Sequence, residues 1–596
     1  MFLGGLIAGI LQGSAGIMNT LSQESTNGKS LWGTLNNPYL PHFLTNNPLP
    51  DGFPWGSLTA GGNNPYTSAP DTGVVRSYDF TITRGKIAPD GYSRDVILIN
   101  GQYPGPLIEA NWGDTFEIKV HNQITGPEEG TTMHWHGLLQ KGTQHMDGVP
   151  AVSQCPIAPG DSFTYTFKAE LYGSSWYHSH YSAQYAGGLV GPMVIHGPSN
   201  APYDVDIGPV FVQDYYHKEY FTIVEGVMAS GAAANPKPVS DNNLINGKMS
   251  FDCTTKANGD NTECSDLAGI SQFKFQTGKT HRLRLINAGS EGMQRFSIDG
   301  HKLVVIANDF VPIKPYTTTV VTLAVGQRAD VLVTANVGNP DSAYWMRSNI
   351  STICSFANQP IALAAVYYDQ ADTTKPPQST PWDVPDPGTC ANDDLSVTEP
   401  YYSMAAPEPA TTKNMDINFY VNDTGHFLWT LGGTSYRANY NNPLLLLANE
   451  GNTSYPEEWN VQNFGTNTTI RVIVNNPTPA SHPMHLHGHN MQILSEGPGD
   501  WDGTTIIRQS NPQRRDVQNV RPHGHFVWQI TTDNPGVWPF HCHIAWHVSG
   551  GLSANILERP LDIQKSLKIP LASKNTCKQW NSYTNHATVD EIDSGI

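Results

Sequence analysis

The chain has 596 residues, of which 38% are hydrophobic and 10% aromatic but only 14% charged, with 55 glycines and 44 prolines. The length predicts several domains with large buried cores, and the composition is typical of a loop-rich β protein rather than a helical one. The net charge of −18 argues against nucleic acid and membrane surfaces as partners, because both attract basic proteins.

The start of the chain resembles a secretory signal peptide. An apolar run at 2–11 is followed by the small residues Gly13, Ser14 and Ala15, although the basic residues that usually precede such a run are missing. We therefore predict a signal peptide at 1–15. Residues 16–74 are rich in Asn, Gly and Pro and predict an irregular N-terminal extension. No later segment has the roughly 18 uninterrupted apolar residues of a transmembrane helix, so we predict none.

Short alternating runs begin at Val75 and include 78–82, 96–99 and 115–120. Runs of this length, separated by turns, are typical of β-sandwiches or barrels. The run at 115–120 leads to Met133-His134-Trp135-His136-Gly137, and the run at 469–474 leads to Met484-His485-Leu486-His487-Gly488. Such internal similarity indicates repeated domains.

We predict an all-β protein of three consecutive β-sandwich domains, at 75–200, 201–370 and 400–560. The middle domain has similar strand patterns but no paired histidines. A Pro-, Asp- and Thr-rich stretch at 371–399 is interpreted as a linker. The tail at 561–596 is expected to be partly helical.

Histidines form four clusters in the first and third domains. They are His134-x-His136, His178-x-His180, His482-x-x-His485-x-His487, and His541-Cys542-His543 with His547. A single H-x-H pair is more often a surface pair, but four clusters at equivalent positions of repeated domains predict metal binding. Because side chains alternate along a strand, His541 and His543 share one face while Cys542 points to the other. The predicted metals therefore occupy at least two sites.

The ligand types indicate copper. One cysteine with two histidines is typical of a trigonal blue-copper electron-transfer site, whereas zinc sites usually take four ligands and leave redox chemistry unused. Cys542, His482 and His547 fill that role. The eight remaining histidines divide into three, three and two, which predicts a three-metal cluster with open positions for a ligand derived from oxygen.

These four clusters together resemble the copper signatures of multicopper oxidases, and within that family most resemble the laccases of ascomycete fungi. The resemblance extends from about residue 75 to the end of the chain. It implies three cupredoxin-like Greek-key domains and four copper ions. The implied ligands are His482, Cys542 and His547 for the type 1 copper, His134 and His485 for type 2, and His136, His178 and His543 with His180, His487 and His541 for the type 3 pair.

The implied activity is that of a laccase. Four one-electron oxidations of phenols or related aromatics would be coupled to the reduction of O2 to water, by a protein expected to be a monomer. Alternatives with the same coppers are a specialised phenol-coupling oxidase, an ascorbate oxidase or a ferroxidase. A copper-storage protein without turnover is disfavoured, because storage requires no open oxygen site.

Four further features follow from the resemblance. Leu552, ten residues after the cysteine, matches the axial position of the type 1 copper; leucine cannot donate to copper, which should raise the potential. Glu291 matches an acidic residue of the substrate pocket, and Asp147 matches an acid beside the three-metal cluster. The last residues, 593–596, match a C-terminal plug. The ordinary alternatives are a core leucine, a solvated loop carboxylate, a turn-capping aspartate and a free terminus.

Cysteines and sequons predict a secreted glycoprotein. With Cys542 as a ligand, six cysteines remain, and local spacing favours the pairs Cys253–Cys264 and Cys354–Cys390, leaving Cys155–Cys577. Three disulfides suit an oxidising, extracellular compartment. Four N-x-S/T sequons begin at Asn349, Asn422, Asn452 and Asn467.

Overall fold

The computed structural model describes residues 31–45, 52–585 and 592–596. The predicted signal peptide lies outside the described residues, as do parts of the N-terminal extension at 16–30 and 46–51 and of the tail at 586–591. The described chain forms three successive pairs of β-sheets, which we call the first, middle and last sandwich.

The first sandwich packs two four-stranded sheets together, in the orders β2-β1-β4-β6 and β3-β8-β7-β5. In β4, Phe116, Ile118 and Val120 are buried while alternate residues point outward, so one face of the strand builds the core. Its strands are β1 (Val75–Ile87), β2 (Arg94–Ile99), β3 (Ile108–Asn111), β4 (Thr115–Asn122), β5 (His134–Trp135), β6 (Ser162–Lys168), β7 (Gly173–His178) and β8 (Val190–His196).

The middle sandwich pairs a six-stranded sheet, β10-β9-β12-β17-β14-β15, with a five-stranded one, β11-β19-β18-β13-β16. A hydrophobic core of its own lies between them. Its strands are β9 (Val205–Tyr215), β10 (Asn242–Ile245), β11 (Ser271–Lys274), β12 (Thr280–Asn287), β13 (Gln294–Ile298), β14 (Leu303–Asn308), β15 (Val311–Thr318), β16 (Val321–Leu323), β17 (Arg328–Thr334), β18 (Ala343–Ile350) and β19 (Ile361–Tyr367).

The last sandwich pairs two five-stranded sheets, β20-β24-β29-β26-β27 and β23-β31-β30-β25-β28, and adds the hairpin β21-β22. Its strands are β20 (Thr411–Asn414), β21 (Ile417–Val421), β22 (Phe427–Leu431), β23 (Val461–Gly465), β24 (Thr469–Asn476), β25 (His482–Leu486), β26 (Met491–Pro498), β27 (Gln513–Arg515), β28 (Val517–Val520), β29 (Gly524–Thr531), β30 (Gly536–Cys542) and β31 (Ser553–Glu558).

In the described parts of the chain the α-helices are few and short, and two of them lie in the tail, as predicted. They are α1 (Tyr220–Val227), α2 (Leu444–Asn449), α3 (Ala545–Ser549), α4 (Pro560–Ser566) and α5 (Leu571–Tyr583). None of the described helices is long and apolar enough to cross a membrane.

Three disulfides cross-link the described chain: two join the pairs that spacing favours, and the third joins the two cysteines left over. Cys155–Cys577 ties α5 back to the first sandwich, and Cys253–Cys264 and Cys354–Cys390 close shorter loops. Cys542 is the one free cysteine among the described residues, and it is buried.

The first and last sandwiches share one continuous hydrophobic core, which includes Trp135 and Trp176 from the first and Trp538 and Phe540 from the last. Burying these four large side chains contributes about 2 kcal/mol each. The two sandwiches that carry the paired histidines are therefore held in contact, and their paired histidines meet between them.

Candidate metal centre

Cys542 lies at the end of β30 in a triangle with two histidines. Its Sγ is 3.7 Å from His482 Nδ1 and 3.6 Å from His547 Nδ1, and these two nitrogens are 3.0 Å apart. A point equidistant from the three atoms lies about 2 Å from each, which is the ligand distance of a transition metal. Sulfur and two imidazoles in this arrangement fit a copper ion.

The surroundings of this triangle are apolar on one side and open on the other. Trp429 of β22 packs its ring 4.8 Å from that of His482 and 4.6 Å from that of His547. Burial raises the pKa of the Cys542 thiol, so a cation in the triangle would be needed to hold the thiolate. His547 is partly exposed, whereas His482 and Cys542 are buried. An external molecule can therefore reach the triangle at the edge of His547.

Eight other histidines converge on the far side of the same strand. Neighbouring strands set them opposite one another: His134 faces His178 in the first sandwich, and His485 faces His541 in the last. The group contains His134, His136, His178, His180, His485, His487, His541 and His543, all buried. We call these eight residues the histidine cluster. The structure thus brings together eight of the ten histidines in the four sequence motifs. The other two, His482 and His547, lie beside Cys542.

In most of the cluster rings, one nitrogen is hydrogen bonded to an oxygen atom. Nδ1–H donates to a backbone carbonyl in His134 (to Asp147, 2.7 Å), His178 (to Ser179, 2.8 Å), His485 (to Asp516, 2.9 Å) and His541 (to Cys542, 2.9 Å). A carbonyl can only accept, so these bonds fix the tautomer in which Nε2 carries the free lone pair. The four rings are thereby oriented as metal ligands before any ion arrives.

The free nitrogens point at each other. His487 Nε2 lies 3.1 Å from His541 Nε2, and His543 Nε2 lies 3.3 Å from His136 Nδ1. Nε2 of His134, His178, His180 and His485 has no hydrogen-bond partner among the described residues although each is buried. Buried polar atoms are rarely left unpartnered, and converging lone pairs repel unless a cation lies between them. The residues present fit metal ions, and the donor set fits copper.

The electrostatics agree with this reading. Burial, followed by the mutual repulsion of the clustered rings, lowers the pKa of His136, His178, His180, His485, His487 and His543 well below the usual value. Burial lowers the pKa of His541 to about 4 and that of His547 to about 3. These imidazoles are neutral near pH 7, which is the form that binds a metal.

Asp147 lies beside two cluster histidines. Its Oδ2 is 2.9 Å from His487 Nδ1, and its backbone oxygen accepts from His134. The turn after it needs glycine: Gly148 has φ +78°, and a Cβ there would come within 1.8 Å of the backbone oxygen of Met133. The Asp-Gly turn therefore places the Asp147 carboxylate against the cluster. Asp147 both caps the turn and lies beside the histidines.

Glu291 is a buried residue rather than a solvated loop carboxylate. Its Oε2 accepts from the hydroxyl of Tyr216 at 3.4 Å, and Trp546, next to His547, donates to the same hydroxyl at 3.1 Å. Burial, followed by repulsion from Asp214, raises the pKa of Glu291 well above the usual value. Ala545 N–H donates to Ser290 at 2.9 Å, so the loop that carries Glu291 is attached to the helix that carries His547.

Leu552 is fully buried, and its backbone forms hydrogen bonds with two residues of the triangle, His547 and Cys542. Its N–H donates to His547 at 3.1 Å, and its carbonyl accepts from Cys542 N–H at 3.0 Å.

The C-terminal residues enter the protein beside the histidine cluster. Asp593 accepts from the hydroxyls of Ser182 (2.7 Å) and Ser549 (3.0 Å). Ile596 lines the same small cavity as His180 and His541. A terminus with these contacts is not free.

Two residues with contacts to the site were missed in the sequence analysis. Asp214 accepts the N–H groups of Ser290 (2.6 Å), Glu291 (2.9 Å) and Gly292 (2.9 Å) and so fixes the Glu291 loop. Asp516 lies 3.0 Å from His136 Nε2. Both are single carboxylates in strands or turns without a spacing motif, and no sequence signal separates them from ordinary polar residues.

Three multicopper oxidase family models match this chain, at residues 81–200, 206–371 and 420–562. Oxidoreductase OpS5 of Beauveria bassiana is 40% identical over 91% of this chain and 91% of its own. Laccase-2 of Botryotinia fuckeliana is 37% identical, covering 91% and 92%. Dihydrogeodin oxidase of Aspergillus terreus is 35% identical, covering 94% and 96%. The crystal structure of a laccase from Botrytis aclada matches with a TM-score of 0.81 and 34% identity, covering 91% of this chain and 98% of that one.

Proposed function

Because the chain belongs to the multicopper oxidase family, an oxidoreductase family of cupredoxin-like fold, we propose that it is a laccase. It would oxidise phenols and related aromatics by four one-electron steps and reduce O2 to two waters. Bound copper would supply the one-electron chemistry and the reaction with O2. Cys542, His482 and His547 would hold one copper ion, and the histidine cluster would hold three.

One observation carries this proposal: His541, Cys542 and His543 are consecutive residues that belong to two separate ligand groups. Cys542 faces the triangle, while the two histidines face the cluster. A few covalent bonds therefore join the place where a reducing substrate can approach to the place where eight histidines converge. A copper-storage protein would need no such link and no cluster with open ligand positions.

The assignment of individual ligands is part of the proposal. We assign His134 and His485 to the type 2 copper. The type 3 pair is assigned His136, His178 and His543 on one ion and His180, His487 and His541 on the other. Three observations support this division: His180, His487 and His541 bring their ligand atoms to a common point, His487 Nε2 lies 3.1 Å from His541 Nε2, and His543 Nε2 lies 3.3 Å from His136 Nδ1.

Glu291 is proposed to accept the phenolic proton. A phenol that gives up an electron loses its proton far more readily, so a nearby base assists the oxidation. The pKa of Glu291 is raised towards neutral pH, and a general base is most effective when its pKa lies near the operating pH. Hydrogen bonds connect the Glu291 carboxyl through Tyr216 to Trp546, the residue next to His547. The carboxyl therefore lies near the exposed edge of His547, where a substrate can approach.

Reduction of O2 to water consumes four protons, and the carboxyls of Asp147 and Asp593 are proposed to serve the cluster in two different ways. Asp147 is proposed to support proton delivery at His487. Asp593 is hydrogen bonded to hydroxyls of residues two positions after His180 and His547. We propose that residues 593–596 form a plug that excludes bulk water from this side of the cluster.

We further propose that the protein is secreted, glycosylated and monomeric. Three disulfides support an oxidising compartment. The four sequons differ in access: Asn452 is exposed, Asn422 and Asn467 are partly exposed, and the side-chain oxygen of Asn349 is buried within β18. Asn452 is the strongest candidate for a glycan.

The boundaries at 75–200, 201–370 and 400–560 stay a prediction, together with the linker at 371–399. They are supported by the grouping of the strands into three sandwiches, in which β8 ends at His196, β19 at Tyr367, and β20 begins at Thr411.

The proposed function is tested by O2 consumption with a panel of phenols, ascorbate and Fe(II). We expect turnover with phenols, four molecules oxidised for each O2 consumed. A dominant preference for Fe(II) or ascorbate would contradict the proposal. Turnover confined to one phenol would favour a specialised phenol-coupling oxidase, a function that the likeness to dihydrogeodin oxidase supports.

A further inference from the structure

Asp516 holds two histidines of the cluster at once. Its carboxylate Oδ1 lies 3.0 Å from Nε2 of His136, and its backbone oxygen accepts from Nδ1 of His485 at 2.9 Å. All three residues are fully buried. The consequence for His136 is distinctive: with Nε2 occupied by the carboxylate, this ring turns Nδ1 towards His543, whereas His134, His178, His485 and His541 are held by Nδ1.

Asp516 is itself held by an arginine of the middle sandwich. Arg328, the first residue of β17, donates from Nη1 to Oδ1 at 2.6 Å and from Nη2 to Oδ2 at 2.7 Å. The two parallel bonds give the guanidinium–carboxylate pair one geometry, which a lysine could not reproduce. Arg328 Nε–H and Nη1–H also reach the backbone oxygens of Ser174 (3.3 Å) and Gly326 (3.1 Å).

A second buried ion pair braces the first. Asp309 accepts the backbone N–H of Arg328 at 3.0 Å and pairs with the guanidinium of Arg515 at 3.1 Å through two bonds. It also accepts the N–H of Asp516 at 3.2 Å. Two arginines thus balance two aspartates in a region without water access, where an unpaired carboxylate would be strongly unfavourable.

The residue after His136 shows how closely this pair approaches the cluster. Gly137 has φ +82°, and a Cβ there would lie 2.6 Å from Arg328 Nη2 and 2.6 Å from Asp516 Oδ2. A side chain would therefore displace the ion pair. The glycine of the His134-Trp135-His136-Gly137 motif leaves room for the ion pair of Arg328 and Asp516, which belong to the other two sandwiches.

We propose that Arg328 is a positioning residue of the histidine cluster: through Asp516 it determines which nitrogen His136 presents. The middle sandwich contributes none of the histidine or cysteine ligands proposed above, yet it supplies the cation that fixes one of them. This inference rests on the proposed function, since it assumes that the cluster binds copper. Residues that orient metal ligands typically change metal affinity 10- to 100-fold when they are replaced.

The test compares Arg328→Met with Arg347→Met in purified protein. Arg347 makes an equivalent two-bond pair with Asp299, at 2.8 and 2.9 Å, in the same sandwich but without a cluster histidine. Both changes remove an arginine that pairs with a buried aspartate, so loss of stability alone does not distinguish them. The readouts are total copper per chain and the type 1 signal in the electron paramagnetic resonance spectrum, which together give the ratio of cluster copper to type 1 copper.

We expect Arg328→Met to retain cluster copper roughly 10- to 100-fold more weakly, lowering the ratio of cluster copper to type 1 copper, while the type 1 signal of the Cys542 site persists. Arg347→Met should leave the ratio at the wild-type value. An unchanged ratio in Arg328→Met, or an equal fall in both variants, would overturn the inference.

Arg328→Lys provides a second measurement if Arg328→Met does not fold. It keeps the charge but loses the two-bond geometry, and we expect a ratio below that of the wild type; a wild-type ratio would overturn the positioning role. Wild-type protein whose cluster binds no copper would instead contradict the proposed function, and this is established before any variant is compared.

Discussion

The backbone carbonyl of Leu552 accepts a hydrogen bond of 3.0 Å from the N–H of Cys542. The residue at the expected axial position is thereby tied to the proposed thiolate ligand through the backbone. Replacing its side chain should leave this bond in place, so an effect of substitution on the copper can be separated from a change in the position of Cys542.

Leu552→Met should lower the potential of the type 1 copper, because a thioether sulfur donates weakly to copper and stabilises Cu(II), whereas leucine does not. Redox titration of the blue absorption measures this. Leu557→Met changes a buried leucine of β31, the strand that begins directly after Leu552; it is the control and should not change the potential. An unchanged or higher potential in Leu552→Met would contradict the axial assignment.

Glu291→Gln should slow the oxidation of phenols by roughly 100-fold, the ordinary contribution of a general base, and leave a non-phenolic substrate unaffected. The pKa of Glu291 is raised, and only the carboxylate accepts a proton. The wild-type rate with phenols, relative to the non-phenolic substrate, should therefore rise as pH increases through that pKa. The variant should lack this rise. A similar loss for both kinds of substrate would exclude the base role.

Asp593→Asn should change how stability depends on pH. Burial raises the pKa of Asp593 above 3.8, so the folded protein binds this proton more tightly than the unfolded chain. The contribution of Asp593 to stability is therefore present at low pH and lost as pH rises from 3.8 through the folded pKa. We expect the thermal midpoint of the wild type, relative to the variant, to fall over that range.

Asp372→Asn is a control of opposite sign. Hydrogen bonding from Thr374 lowers the pKa of the exposed Asp372 to about 2, so its contribution is present above the unfolded value and lost as pH falls through the folded one. Parallel behaviour of the two variants would show that the pH dependence comes from elsewhere.

Phe419→Ala should weaken binding of phenols with two or more rings. Phe419 is 46% exposed, and its ring lies 4.9 Å from Phe427 and 5.5 Å from Trp429, which contacts His547. An extended substrate that reaches His547 can rest on these rings. Losing one aromatic contact costs about 1 kcal/mol, so KM should rise roughly fivefold, with little change for a one-ring phenol.

Tyr420→Ala is the matched control for that substitution. Tyr420 is also 46% exposed, but successive residues of β21 point to opposite faces, so its side chain lies away from Phe427 and Trp429. Equal increases of KM in the two variants would contradict a specific role for Phe419.

The sequence predicted the fold class, and it singled out the histidines and the cysteine that the structure brings together, because these residues are concentrated in repeated motifs. Alternation along β30 correctly separated Cys542 from His541 and His543. Local spacing was also sufficient for the short disulfide loop between Cys253 and Cys264.

Contacts between sandwiches could not be predicted in this way. Arg328, Asp516 and His136 come from three different sandwiches, and 188 residues separate Arg328 from Asp516. Periodicity and spacing describe only neighbours along the chain. For the same reason the burial of Glu291 and its link to Tyr216 emerged only from the folded structure.

The central claim is that Cys542 and the histidine cluster hold copper as two linked sites. Copper analysis of purified protein, combined with optical and electron paramagnetic resonance spectra of the wild type and Cys542→Ser, tests it most directly. We expect four copper ions per wild-type chain and a blue absorption band that Cys542→Ser abolishes along with turnover. A wild type without copper, or a blue band and turnover that persist in Cys542→Ser, would contradict the claim.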